Sequence, residues 1–201
     1  MRYAIILSVI LFGTIFVPVT SAEELYLSLC NDPAQWWLHL GWEVPGAVGE
    51  IVTIPDEERG DCLSVNYDFS KGGQYVGPVL GGSFDKIEKI SFWIRLSEDG
   101  SSFFVRLTDA TEQCHLFYNL PAKPGQWNFV EVSFKQEAVN AHWGGENDGA
   151  IHFPLQAIHF CVNKGTAPEG HFLLDNVTAV MNEIPETMKW GLNITPRVPN
   201  G

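Results

Sequence analysis

The chain has 201 residues, with 12 basic and 24 acidic side chains and a net charge of −12 at pH 7. That length suits one domain able to bury a proper core. The acidic balance repels phosphate backbones and anionic lipid, which sets nucleic acid aside as a partner and leaves neutral ligands open.

Residues 1–22 have the order of a secretory leader. Met1-Arg2-Tyr3 is a short basic start, Ala4 to Val19 is an apolar run, and Thr20-Ser21-Ala22 supplies small residues before Glu23-Glu24. The run is shorter than the roughly 20 residues that cross a bilayer. Cleavage near Ala22 predicts a secreted or periplasmic protein, with no membrane insertion once the leader is gone. Loss of Arg2 makes the remaining chain one unit more acidic.

Short segments rich in Val, Ile, Phe, Tyr and Trp then recur between turn formers. They predict strands at residues 25–29, 51–54, 62–69, 75–80, 89–96, 102–109, 113–120, 127–134, 157–162 and 171–181. Turns are expected at Pro55-Asp56, Gly60-Asp61, Lys71-Gly72-Gly73, Gly81-Gly82, Asp99-Gly100, Pro121 to Gly125 and Pro168-Glu169-Gly170. The three residues Ala110-Thr111-Glu112 read as a hairpin loop. No stretch keeps a helical apolar period over three turns. The pattern is that of an all-β protein, a two-sheet antiparallel β-sandwich spanning residues 23–182. Residues 183–201 hold Pro185, Pro196 and Pro199 and read as a tail or linker.

Four cysteines, Cys30, Cys62, Cys114 and Cys161, allow three disulfide connectivities in an exported chain. Strand alternation puts Cys30 opposite the leucines of its segment and Cys62 opposite Leu63 and Val65, so these two could meet on an outer face. Cys114 with Cys161 is the remainder.

A set of phrases in fixed order carries a family resemblance: Glu43-Val44-Pro45-Gly46-Ala47, Leu63 to Ser70, Gly72-Gly73-Gln74-Tyr75-Val76, Ile90-Ser91-Phe92-Trp93-Ile94, Arg106-Leu107-Thr108-Asp109, Pro124-Gly125-Gln126-Trp127, His142 to Gly149 and Leu174-Asp175-Asn176-Val177. Over residues 25–181 it resembles the galactose-binding-like jelly-roll domains found as carbohydrate-binding modules, above all those at the N-terminus of secreted bacterial glycoside hydrolases. The resemblance implies a concave face or loop edge that holds carbohydrate, a structural Ca²⁺ in many members, and a fused or associated glycoside hydrolase domain.

Sugars stack their C–H faces on aromatic rings and give their hydroxyls to planar polar groups. The loop His142 to Gly149 offers Trp143 beside Asn147 and Asp148, and Tyr75 follows a Gly-Gly turn at the same expected rim. Phe104, Arg106 and Thr108 share one strand face; Gln113, His115 and Phe117 share another. With both turned toward the ligand, Arg106, Gln113 and His115 form a polar platform. Trp93 and Trp127 are expected in the core, and Trp36 and Trp37 at an open end of the sandwich. Asp175 alternates with Leu173, Val177 and Ala179, so its carboxylate needs a charge partner. Oxygen ligands suit Ca²⁺, and Asp175 matches the place of a calcium-ligating aspartate in the resembling modules, with Glu43 as a second ligand.

Glycoside hydrolysis needs two placed carboxylates, and no strand carries an alternating acidic run. Asp56-Glu57-Glu58 is a solvated loop, and the Gly-x-Ser-x-Gly elbow is missing from the sequence. The expectation is therefore a non-catalytic carbohydrate-binding module. A sandwich-fold hydrolase or lyase whose carboxylates meet only in the fold, and a cell-surface adhesion or structural module, stand as alternatives.

Overall fold

The computed structural model describes residues 24–181. The leader expected over residues 1–22 and the tail expected over residues 183–201 lie outside the described residues. The strands are β1 (Glu24–Ser28), β2 (Trp36–His39), β3 (Val48–Asp56), β4 (Gly60–Asp68), β5 (Tyr75–Phe84), β6 (Ile87–Leu96), β7 (Ser102–Thr108), β8 (Cys114–Phe117), β9 (Asn128–Ser133), β10 (Ala141–Trp143), β11 (Leu155–Asn163) and β12 (Glu169–Met181). Single 3₁₀ turns, Pro33–Gln35 and Gln136–Ala138, complete the list of described elements.

All strand pairs are antiparallel and form two six-stranded sheets. The first runs β3-β4-β12-β6-β9, with β1 also paired to β12; the second runs β10-β8-β7-β11-β5-β2. Each sheet sends one face inward. From the first come Leu63, Val65, Phe92, Ile94, Phe172 and Leu174; from the second, Phe103, Val105, Leu107, Ile158, Phe160 and Val162. Phe160 meets Phe92 edge to face at 5.0 Å and Trp36 at 5.7 Å, tying the sheets together.

Several expectations change. β2 and β10 were not among the predicted strands. The turn expected at Gly81-Gly82 lies inside β5, where a Cβ on Gly82 would stand 2.7 Å from the Phe84 ring. The chain reverses instead before β6, where Lys86 takes a left-handed φ of 52°. Trp93 and Trp127 are not core residues. They lie half-buried on the outer face of the first sheet, with the Arg59 guanidinium 4.2 Å from the Trp93 ring and 5.6 Å from the Trp127 ring. Trp36 and Trp37 are neighbours on β2 that point opposite ways, Trp36 into the core and Trp37 outward.

Phe160→Ala would empty a fully buried site where the two sheets meet. It should cost about 3–5 kcal/mol, read as a lower urea midpoint with an unchanged slope.

Candidate functional site

The outer face of the second sheet is built by alternation. Register places Trp37, Val79, His159, Arg106, Leu116 and Ala141 in one row across the six strands. A neighbouring row holds His39, Cys161 and Phe104, and Thr108, Cys114 and Trp143 form another. Phe104, Leu116 and Cys161 make a small second apolar cluster here, with Tyr75 and Ala141 packed on it.

At the centre lies Arg106, 5% exposed. Its Nη1–H donates to the Tyr75 hydroxyl at 3.0 Å, and Nη2–H donates to His159 Nδ1 at 2.9 Å. That bond leaves the His159 proton on Nε2, which donates to Thr108 Oγ1 at 3.2 Å. The Tyr75 hydroxyl in turn donates to the Glu43 carboxylate at 2.9 and 3.1 Å. Burial pushes the Tyr75 hydroxyl up to about 12, keeping it protonated as that donor. The backbone N–H of Glu43, with the Tyr75 hydroxyl adding to it, holds the Glu43 carboxyl below its ordinary range. Arg106 Nε has no hydrogen-bond partner among the described residues.

Aromatic rings flank this centre. His39 stacks between Tyr75 (5.4 Å, 15°) and Trp42 (4.7 Å, 29°), and Trp42 stacks on Trp37 (6.0 Å, 16°). His39 is itself buried, whereas Trp42 is 65% and Trp37 42% exposed, so these two indoles present the free faces. The loop bearing Trp42 is closely seated: Gly41 is left-handed (φ 58°), and a Cβ there would stand 2.7 Å from the Tyr75 carbonyl oxygen. On the opposite flank, Trp143 is 43% and Tyr118 40% exposed.

The structure brings Tyr75, Arg106 and Trp143 to one face and separates them from Gln113 and His115. Arg106 pairs with Leu116, whereas His115 pairs with Leu107, a core residue. Gln113 and His115 are fully buried, so the three-residue platform does not form. Both support the rim instead. His115 Nε2 lies 3.0 Å from Asp109 Oδ2, and that carboxylate also accepts from the backbone N–H groups of Thr111, Gln113 and His152. These bonds hold the Asp109 carboxyl well below its ordinary range. Gln113 donates to Asp148 Oδ1 and to the Ala150 carbonyl, and accepts from Gly149 N–H. Asn147 bonds through Oδ1 to His142 Nδ1 at 3.1 Å. Asn147 and Asp148 thus belong to the loop after Trp143.

Asp175 and Glu43 do not fit a shared calcium site. A bulge after Asp175, with Asn176 left-handed at φ 49°, breaks the expected alternation. Val177 and Ala179 face the core, while Asp175 faces out, opposite Trp93. There the Arg59 guanidinium meets its carboxylate at 2.6 Å and Asn176 Nδ2 adds a bond at 2.9 Å. The cation that this carboxylate requires is therefore supplied by the chain. Glu43 bonds to Tyr75 in the other sheet.

All four cysteines are free thiols. Cys114, on β8, pairs with Thr108 of β7, and Cys161, on β11, pairs with Phe104 of the same β7 from its other side. Two strand spacings and a four-residue offset put them well beyond the ~7 Å Cα limit for a disulfide. Burial pushes the Cys30 and Cys161 thiols up to about 12, so they stay protonated.

Trp37, Trp42, His39 and His159 are not among the site residues expected from the sequence. Alternation along β11, inside the strand expected at residues 157–162, carried a signal for His159; β2 is too short to show a period, so Trp37 and His39, like Trp42, had none beyond composition.

No protein-family model and no characterised protein matches the chain by sequence. Solved structures do match by shape. The family 11 carbohydrate-binding module of the cellulosomal cellulase Lic26A-Cel5E of Clostridium thermocellum superimposes with a TM-score of 0.61 at 17% identity, covering 83% of this chain and 99% of that one. The family 11 module from Clostridium thermocellum in complex with a β-1,3-1,4-mixed-linked tetrasaccharide gives 0.61 at 18% identity, over 81% and 98%. A domain of an exo-β-agarase gives 0.50 at 14% identity, over 81% of this chain and 25% of that one. At these identities the likeness defines the fold. The chain is a jelly-roll β-sandwich, the fold that these solved modules share.

His159 makes the site's stability pH-dependent. Burial, then the Arg106 charge, push its ring down to about 2. The unfolded imidazole takes its proton near 6.5, so below that pH the unfolded state binds more protons. Stability is full above about pH 6.5 and falls by up to ~1.4 kcal/mol per pH unit beneath it. Denaturant titrations should show a shallower fall between about pH 6.5 and 4.5 for His159→Gln than for the parent; parallel curves would contradict the assignment.

Proposed function

We propose that this chain is an exported, non-catalytic module that binds a polysaccharide across the outer face of the second sheet. One observation carries the reading: exposed indoles on both flanks of a face whose centre is a fixed Arg106–His159–Tyr75–Glu43 hydrogen-bond network. The six strands put β2 and β10 roughly 24 Å apart, room for several sugar rings in a row. The free faces of Trp37 and Trp42 receive sugar C–H groups at one flank, and Trp143 and Tyr118 at the other. Glu43 and Thr108 supply acceptors and donors for hydroxyls between them, on a floor fixed by Arg106 and His159.

The outward strand positions of this sheet carry no carboxylate, and Glu43 reaches the face from the β2–β3 loop. This favours holding a glycan over cleaving one by a carboxylate pair. The solved family 11 module was captured with a β-1,3-1,4-mixed-linked tetrasaccharide, and mixed-linkage β-glucan is a first probe here. Export rests on the leader pattern of residues 1–22, and the mass of the mature chain tests it.

Affinity electrophoresis in gels containing mixed-linkage β-glucan, xylan or agarose should retard the parent chain in at least one of them. Trp37→Ala and Trp42→Ala should each weaken that binding by about thirtyfold, the ~2 kcal/mol of an interface hot spot. Migration unchanged in every gel, or full binding by both variants, would refute the proposal.

A further inference from the structure

Next to the glycan face, the loop after β10 gathers three metal-ligating side chains that neither the fold nor the sugar site requires. Glu146, Asp148 and His152 each offer one ligand atom, and these atoms all lie within 4.8 Å of one another. We infer that they form a site for a zinc-type divalent ion, held by two carboxylates and one imidazole with water completing the shell.

The donor set separates this group from an ordinary acidic patch. Imidazole with carboxylates suits zinc and its neighbours, whereas calcium sites are built from oxygen alone. Neither carboxylate meets a Lys or Arg among the described residues; the contact recorded is that of His152 Nε2 with Asp148 Oδ2 at 3.1 Å. The ligands are also held from outside the group. Gln113, fully buried, donates to Asp148 Oδ1 at 3.1 Å, and Ala150 N–H donates to the same oxygen at 2.9 Å, so Oδ2 meets only His152 Nε2, the atom that would join it on the ion once its proton is given up. His152 is anchored through its backbone N–H on Asp109 Oδ2 at 3.1 Å. Such outer contacts are what orient a metal site. Ligand atoms on a tetrahedral zinc ion lie about 3.4 Å apart, given ~2.1 Å bonds. Glu146 is exposed, so its side chain is free to close the remaining gap.

The ion would join both ends of the Glu146–His152 segment, which Gly144-Gly145 connects to Trp143. The site lies apart from Asp175 and Glu43 and draws on none of the groups at the sheet centre.

The test is a calorimetric titration of the untagged full chain with Zn²⁺ alone. One ion per chain is expected, with Glu146→Gln and His152→Gln each weakening it at least about tenfold and His171→Gln, an exposed histidine on β12, leaving it unchanged. His152 ring resonances should shift in the NMR spectrum at one equivalent. Unchanged melting of Glu146→Gln shows that any loss is not unfolding. Absent binding, binding equal in all variants, or a His152 signal that stays in place would each overturn the site.

Discussion

A guanidinium buried on the outer face of a sheet must be satisfied without a core to cover it. Arg106 meets that constraint through neutral partners, the Tyr75 hydroxyl and His159 Nδ1, with the Glu43 carboxylate one bond further out. The arrangement fixes three strands and the β2–β3 loop relative to one another. It also dictates the His159 tautomer, because an imidazolium would set two cations face to face. With the centre rigid, the rings around it stand in set positions: His39 is held between Tyr75 and Trp42, and Trp42 rests against Trp37. A preorganised face of this kind pays little ordering entropy on binding a chain of sugars.

The other sheet uses the same device for a different end. Arg59 and Arg95 lie over Trp93 and Trp127, and their charges are met by Asp175 and Asp56 at 2.6 and 2.7 Å. Both guanidinium charges there are matched, and Trp127 Nε1–H is spent on Asp56. That face is closed chemistry, whereas the Arg106 face leaves Arg106 Nε unmatched and two indoles largely free. The contrast is why the glycan reading falls on the second sheet.

Much of the fold was legible because half-buried strands advertise themselves by alternation. Ten strands emerged from it, with ends displaced by a few residues. β2 and β10 escaped because four and three residues are too short to show a period. Gly81-Gly82 read as a turn, yet the Phe84 ring covers the bare backbone and the strand continues. The error over Gln113 and His115 was avoidable. A hairpin closed by Asp109 and Gln113 sets Arg106 opposite Leu116, and so sets His115 on the other face. The bulge at Asn176 was not avoidable: nothing local announces a left-handed asparagine between two apolar runs, and it turned Asp175 from the core to Arg59.

The most direct measurement is a two-dimensional NMR titration that follows the indole N–H signals of the seven tryptophans with a mixed-linkage gluco-oligosaccharide or another bound glycan. The account predicts that Trp37, Trp42 and Trp143 shift in concert and saturate together, while Trp36, Trp93 and Trp127 stay in place. Shifts centred on Trp93 and Trp127 would put the ligand on the wrong sheet and contradict it.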